Sequence, residues 1–273
     1  MGTDLISHPF HGPRSKLVRA RKVLGEFRAH EEVYLSELKF GVYGRRDATG
    51  LTHVFVRIET PIPDDLAHTA AEATYHVRSS LDQMLGSIAR VRGKNDTSTI
   101  HFPFLENESE FDGREARKKM KGLPEDVRDL IFRLHPWEGG DADLWGLGKL
   151  ANVDKHNALI PFGAMGGAAG LSWMFLNGGG HPDSGIVSEP GNLLEGVDFF
   201  RHGPAGGFGM RPEAEIDISA IVSFGRDVPC FALEPAAPTI ERLIELGESI
   251  VETFATHCFG EWEPQIETFV RRG

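Results

Sequence analysis

The chain reads Tyr75-His76-Val77-Arg78-Ser79-Ser80-Leu81-Asp82 and, much further on, Leu150-Ala151-Asn152-Val153-Asp154-Lys155-His156. These two stretches hold the residue types that could do chemistry. An arginine presents planar paired donors to a carboxylate or phosphate. An imidazole moves a proton near neutral pH. Arg78 is therefore the candidate to hold an anion, and His156 or His76 the candidate acid or base. Tyr75, Asp82, Asn152, Asp154 and Lys155 are the candidate binding groups around them. The same residues have an architectural reading. Arg78 could meet Asp154 in a planar ion pair that, with Tyr75, locks two helices and performs no reaction.

Both stretches lie on helices by their spacing. Leu66, Ala70, Ala73, Val77, Leu81, Met84 and Ile88 recur at steps of three and four, so a helix is expected over Asp64–Arg92. Asp64 follows Pro61 and Pro63 and can cap it, and Gly93 marks its end. On this helix Arg78 and Asp82 share one edge of the stripe with Tyr75 beside them, while His76, Ser80 and Gln83 sit on the other side of the polar face. A second helix is expected over Asp143–Leu159, with Leu144, Leu147, Leu150, Ala151 and Ala158 inward. Asp154 falls within that apolar face, where a carboxylate must be paired, protonated or near solvent. Lys155 borders the face, and His156, Asn152, Trp145 and Lys149 group on another side.

Several common site signatures are missing. There is no Gly-x-x-x-x-Gly-Lys-Ser/Thr loop, no Gly-x-Gly-x-x-Gly after a strand, no Gly-x-Ser-x-Gly elbow and no pair of Cys-x-x-Cys motifs. Gly178-Gly179-Gly180 before His181 reads as a turn rather than an anion cradle. The 12 histidines include no His-x-x-x-His on one helix. A metal would have to be assembled from separate segments, such as His76, His101 and His156 with Asp82 or Asp154. No metal or other cofactor is therefore expected, and a metal-dependent enzyme ranks third among the readings.

The net charge of −11 argues against broad charge-driven binding to nucleic acid or an anionic membrane, while leaving room for a local basic patch. Two cysteines, Cys230 and Cys258, form no disulfide framework and point to a reducing compartment. No apolar run reaches the length of a membrane span, and the N-terminus has no apolar signal core. A cytoplasmic protein without a membrane segment is expected.

The remaining elements frame the two helices. Ser15–Tyr34 reads as a helix with Leu17, Leu24 and Phe27 inward and Arg19, Arg21, Lys22 and Arg28 on a solvated face. Glu37–Arg45 and Leu51–Thr60 read as a hairpin in which Val54, Val56 and Ile58 alternate with Phe55 and Arg57. Ile100–Phe104 is a short apolar run that docks on the bundle, and Glu106–Lys121 is a charged, exposed stretch. A helix opens at Pro124 and stops at His135-Pro136. Fourteen of the 32 glycines lie between Gly163 and Gly209, so 163–212 is expected to be an irregular insertion, apart from a strand at Leu171–Leu176. Glu213–Gly225 is a strand with Val228–Leu233 as its hairpin partner, and Pro238 to Cys258 is a helix that packs beside the one from Asp64. The expectation is an α+β protein: an antiparallel helical bundle packed with a small antiparallel sheet and a Gly-rich insertion. It is read as one domain over 1–273, with a core of 14–162, the insertion at 163–212 and a closing hairpin and helix at 213–260.

The two motifs together resemble a family of bacterial proteins without an assigned activity. Members carry a His-Asn-Leu-Arg-Ser-Ala-Leu-Asp-His helix and a later Asp-Lys-His, and the resemblance covers roughly residues 35–160. There is also a similarity to HEPN-type ribonucleases, helical bundles that use an arginine and a histidine separated by four residues. Gln83 stands here where that histidine would follow Arg78, and Ala151 stands where the arginine would precede Asn152 and His156. The similarity implies a phosphate-, nucleotide- or RNA-handling protein with an Arg/His site between two bundle helices. The alternative is a non-catalytic binding or assembly protein in which Arg78, Asp82 and Asp154 are structural. RNA or a nucleotide is the expected partner, with a homodimer kept open.

Overall fold

Leu17, Leu24 and Phe27 are all buried on the first helix, α1 (His11–Ser36), which extends beyond its periodic stretch at both ends. The strands β1 (Phe40–Arg46) and β2 (Thr52–Ile58) pair antiparallel, with Phe40 opposite Ile58 and Arg46 opposite Thr52, as the expected hairpin. Next comes α2 (Asp64–Val91), whose first turn carries Asp64 and Asp65, where the helix dipole favours negative charge. At its far end Gly93 adopts a φ of 86°. The Gly93 N–H donates to the Arg90 carbonyl at 2.9 Å and the Lys94 N–H to the Ala89 carbonyl at 3.0 Å. This Schellman cap satisfies two carbonyls that the helix would leave open.

The charged stretch 106–121 contains a 3-10 turn at Glu108–Glu110 and a short helix, α3 (Arg114–Lys119), neither of which its sequence signals. Helices α4 (Glu125–Arg133) and α5 (Ala142–His156) follow. Six strands come next: β3 (Phe162–Ala169), β4 (Trp173–Phe175), β5 (Gly191–Asn192), β6 (Val197–His202), β7 (Phe208–Met210) and β8 (Asp217–Phe224). Helix α6 (Ala236–Phe259) is the last element. The computed structural model describes residues 8–46, 48–49, 52–156, 162–169, 173–175, 191–192, 197–202, 208–210 and 217–260. These helices and antiparallel strand pairs make an α+β protein. None of the described helices is long and apolar enough to cross a membrane.

The described residues fall into two compact units, one within Met1–Gly25, Thr69–Ala158 and Ile240–Gly273, the other within Glu26–His68 and Leu159–Thr239. The first unit is a helical bundle. Arg14 and Arg21 of α1 make two-point contacts with Glu252 and Glu248 of α6, at 2.6–2.7 Å. Arg19 meets Glu72 of α2 at 2.7 Å, and Lys16 lies over the Tyr75 ring at 5.8 Å. The order of these partners runs α1 antiparallel to both α2 and α6, so α2 and α6 share one direction. The outward basic face expected of α1 is thus paired in part with carboxylates of its neighbours. As expected, α6 packs beside α2: a Cβ at Gly247 would lie 2.9 Å from Val77 and 3.0 Å from Leu17.

The second unit holds the strands in three antiparallel sheets, ordered β1-β2-β6, β5-β3-β8 and β4-β7. Phe27 of α1 packs on Phe162 of β3 at 5.9 Å, Phe162 on Phe224 of β8 at 5.4 Å, and Phe224 on Phe231 at 5.9 Å. The irregular insertion expected over 163–212 is corrected here. Its Gly- and Ala-rich backbone pairs as β3 along the whole of β8, from Phe162 opposite Phe224 to Ala169 opposite Asp217, and β6 adds to β2. Glycine lacks a strand signal of its own but leaves its amides free to complete a neighbour's ladder. The strand expected at Val228–Leu233 is also corrected. That segment turns, with φ positive at Cys230 and Leu233, and its link to β8 is a pair of bonds joining Phe224 to Glu234 and Leu233. Pro229 has no N–H to offer a ladder. Gly178-Gly179-Gly180 and His181 lie outside the described residues.

The close approach at Gly247 and the open surface at Gly25 give opposite expectations for the same change. Gly247→Ala forces Val77 and Leu17 apart and should cost about 1–3 kcal/mol. Gly25 has nothing within 4 Å of an added Cβ. Gly25→Ala should stabilise by about 0.5–1 kcal/mol through helix propensity. Urea denaturation of the two variants checks the sign of each.

Candidate functional site

Ser80 and Thr74, polar in type, are buried on α2, and each hydroxyl bonds back to its own helix, Ser80 to the Val77 carbonyl at 2.7 Å and Thr74 to that of Ala70 at 3.0 Å. This moves Ser80 off the polar face expected for it. It is affordable because a hydroxyl that finds a carbonyl inside the helix needs no water. The charged groups of α2 reach outward instead.

Arg78 and Asp82 do stand on one edge of α2, one turn apart, and both hold the same neighbouring chain. Asp82 Oδ1 accepts the Phe102 N–H at 2.7 Å, and Oδ2 lies 3.6 Å from His101 Nδ1. The Arg78 guanidinium sits over the Phe104 ring at 5.1 Å and donates to the Gly148 carbonyl of α5 at 3.3 Å. Gly148 is required there, since a Cβ would come within 2.6 Å of the Phe104 ring. Burial pulls the Arg78 pKa below its usual value, and the Asp82 carboxylate opposes that shift. So α2 fastens 101–104 and α5 through one arginine and one aspartate. The expected docking of Ile100–Phe104 holds, with Ile100 and Phe102 buried.

His76 is two residues from Arg78, about 200° around the helix, so the two point to opposite sides. Its Nε2 is 3.4 Å from Glu72 Oε1, which Arg19 also grips, and its buried Nδ1 has no hydrogen-bond partner among the described residues. Burial lowers the imidazole pKa. The Glu72 hydrogen bond opposes this, while Lys16 and Arg19 add to it. Arg19, through its hydrogen bond, holds the Glu72 carboxyl below its ordinary value. Tyr75 is about half exposed, edge-on to His76 at 5.7 Å. The expected site is therefore split among the described groups: Tyr75 and His76 face the α1 side, and Arg78 and Asp82 face 101–104 and α5. Asn152, Asp154, Lys155 and His156 close α5, with His156 its last residue. Their side chains, and with them the Arg78–Asp154 pair, lie outside the described residues.

Trp145 and Lys149 do share one side of α5 as expected, while the part of Phe104, Gly148 and Glu106 beside them was not signalled by the sequence. Lys149 Nζ is 2.6 Å from Glu106 and 4.9 Å from the Trp145 ring centre. Together with Leu105 they line a cavity of about 30 Å³, room for water and far below the roughly 300 Å³ of a ligand pocket. Two larger cavities, of about 620 Å³ beside Glu37, Lys39 and Glu59 and about 610 Å³ beside Leu130, Glu252 and His257, have none of Tyr75, His76, Arg78 and Asp82 among the described residues of their walls. Among the described residues no group of three His, Cys, Asp or Glu side chains is arranged to hold a metal ion. No known protein family, curated protein or solved structure matches the chain.

Two outcomes follow from this geometry. Asp82→Ala strands the Phe102 N–H and should destabilise by about 1–2 kcal/mol, whereas Asp82→Asn keeps an acceptor and should cost less than half of that, measured by denaturant unfolding. His76 has its pKa lowered on folding from the ordinary 6.5. Below that value the unfolded chain takes up the proton first, so the contribution of His76 is complete above it and is lost as pH falls through the folded value. His76→Gln should therefore lose less stability than the parent chain between about pH 7 and pH 5.5. Identical losses would show that His76 does not carry this dependence.

Proposed function

We propose that this chain acts by binding, and that Arg78 and Asp82 are architecture rather than reaction machinery. The observation behind this reading is the pair of attachments that the two residues make, to the Phe102 amide, the Phe104 ring and the Gly148 carbonyl. A guanidinium that stacks on a ring and donates to a buried carbonyl is already in use, and the cavity beside its partners admits no nucleotide. On this reading Arg78 and Asp82 brace a helix, and Gln83 in place of the second histidine costs the chain no activity.

The test separates bracing from cleavage. Arg78→Ala should destabilise the protein by about 2–3 kcal/mol, because a charged hydrogen bond and a cation–ring contact go together. Purified protein should leave end-labelled single-stranded RNA intact. RNA cleavage that disappears in Arg78→Ala or His156→Ala, at unchanged melting temperature, would overturn the binding reading in favour of a ribonuclease.

A further inference from the structure

Alternation along the β1–β2 hairpin sends Val56 and Ile58 into the core and leaves Tyr43, Arg45, Phe55 and Arg57 on the opposite face. Tyr43 and Phe55 are cross-strand partners, with ring centres 5.5 Å apart and planes inclined by 22°. Arg57 lies over the Tyr43 ring at 4.7 Å and Arg45 over the Phe55 ring at 6.0 Å. The four side chains form one ladder, cation, ring, ring, cation. Both rings are part-exposed and both arginines exposed.

Two details distinguish this ladder from ordinary cross-strand packing. The first is Gly41. The Tyr43 ring lies back along its own strand over that residue, where a Cβ would come within 2.7 Å of the ring carbons and hydroxyl. The phenol is pinned in that position by a hydrogen bond to Glu59. The second is charge. Arg14, Arg19, Arg21 and Arg242 each meet a carboxylate. Arg45 and Arg57 meet none among the described residues, and aromatic rings hold them instead. Guanidinium groups with no ion-pair partner among the described residues, set beside flat, part-exposed rings, complement a polyanion that carries flat bases.

We infer that the outer face of the β1–β2 hairpin is a binding surface for single-stranded nucleic acid, with Tyr43 and Phe55 as the stacking platform and Arg45 and Arg57 as the phosphate contacts. Base stacking on aromatic side chains tolerates any sequence, and arginine supplies both the ion contact and a second planar surface. On binding, a base takes the ring face that a guanidinium covers in the free chain, and the arginine swings to the adjoining phosphate. A duplex cannot do this, because its bases are already stacked. The inference goes beyond the reading of Arg78 and rests on different residues, so each can fail without the other.

Fluorescence anisotropy of the full chain with labelled oligomers of about a dozen nucleotides, oligo-U and oligo-dT, in about 50 mM salt tests it. Both single strands should bind, and tighter binding of oligo-U would identify RNA as the natural form. Phe55→Leu keeps an apolar side chain but removes the platform, and should weaken binding about tenfold. Gly41→Ala should weaken binding by shifting Tyr43 with no change of charge. The surface double variant R45Q/R57Q, which leaves the core untouched, should weaken binding and flatten the log–log salt slope by about 1.4, the value for two phosphates on a single strand. No binding at tens of micromolar protein, equal binding of a duplex, or undiminished binding by both Phe55→Leu and R45Q/R57Q with intact thermal transitions overturns the inference.

Discussion

The absence of a side chain at Gly247 is the constraint on which the bundle turns. Val77 and Leu17 come so close to the α6 backbone that even a methyl group would strain the contact. Helices that approach this tightly exclude water along their whole seam, and the apolar positions of α2 and α6 stay buried for several turns on either side. The carboxylates and arginines around the seam have a lesser task. Arg14, Arg19 and Arg21 select which carboxylates lie opposite, which fixes direction and register, while exposed pairs of this kind add little energy. Packing therefore holds the helices together, and charge decides how they are aligned.

That division explains the polar residues of α2. The buried side of the helix has no solvent for its hydroxyls, and Ser80 and Thr74 bond inward. Charged groups cannot do the same, because burying a charge without a partner is far more costly than burying a hydroxyl. Each must find a fixed acceptor or donor at the edge. Arg78 and Asp82 find theirs in the 101–104 segment and in α5, and His76 finds its own in Glu72. A motif rich in arginine, histidine and aspartate can therefore arise from the demands of a crowded helix without any reaction at its origin.

The long helices were legible in the sequence because burial repeats every three or four residues, and Leu66 through Ile88 shows that period without interruption. The hairpin was legible from its twofold alternation. Two partners of Arg78 were not, because one is a backbone carbonyl and the other a ring in a segment with no period, and neither leaves a trace in side-chain spacing. The wheel placed Arg78 beside Asp82 correctly, but it could not say that both would be occupied by 101–104 and α5. The strands of the Gly-rich region were illegible for a related reason. What makes β3 a strand is the ladder supplied by β8, a property of the partner and not of a run such as Gly166-Gly167-Ala168. Val228–Leu233 failed in the opposite direction: its apolar residues look like a strand, yet Pro229 and the positive φ at Cys230 turn the chain.

Net charge was also a poor guide to local surface. A chain at −11 should repel a polyanion as a whole, and by count alone the arginines of α1 offset this. In the fold they do not, since three of them are matched by glutamates of α2 and α6. At a Debye length near 10 Å the distant carboxylates are screened, and what a ligand meets is the charge within that radius. Among the described side chains on the outer face of the hairpin, that charge comes from Arg45 and Arg57, opposed by Glu59, which already accepts the Tyr43 hydroxyl. An aromatic ring neutralises nothing: it orders a guanidinium while leaving its charge and most of its donors in place. Pairing with carboxylates in the bundle and with rings on the sheet thus gives the same residue type two different outcomes, spent alignment in one unit and an unspent cation in the other.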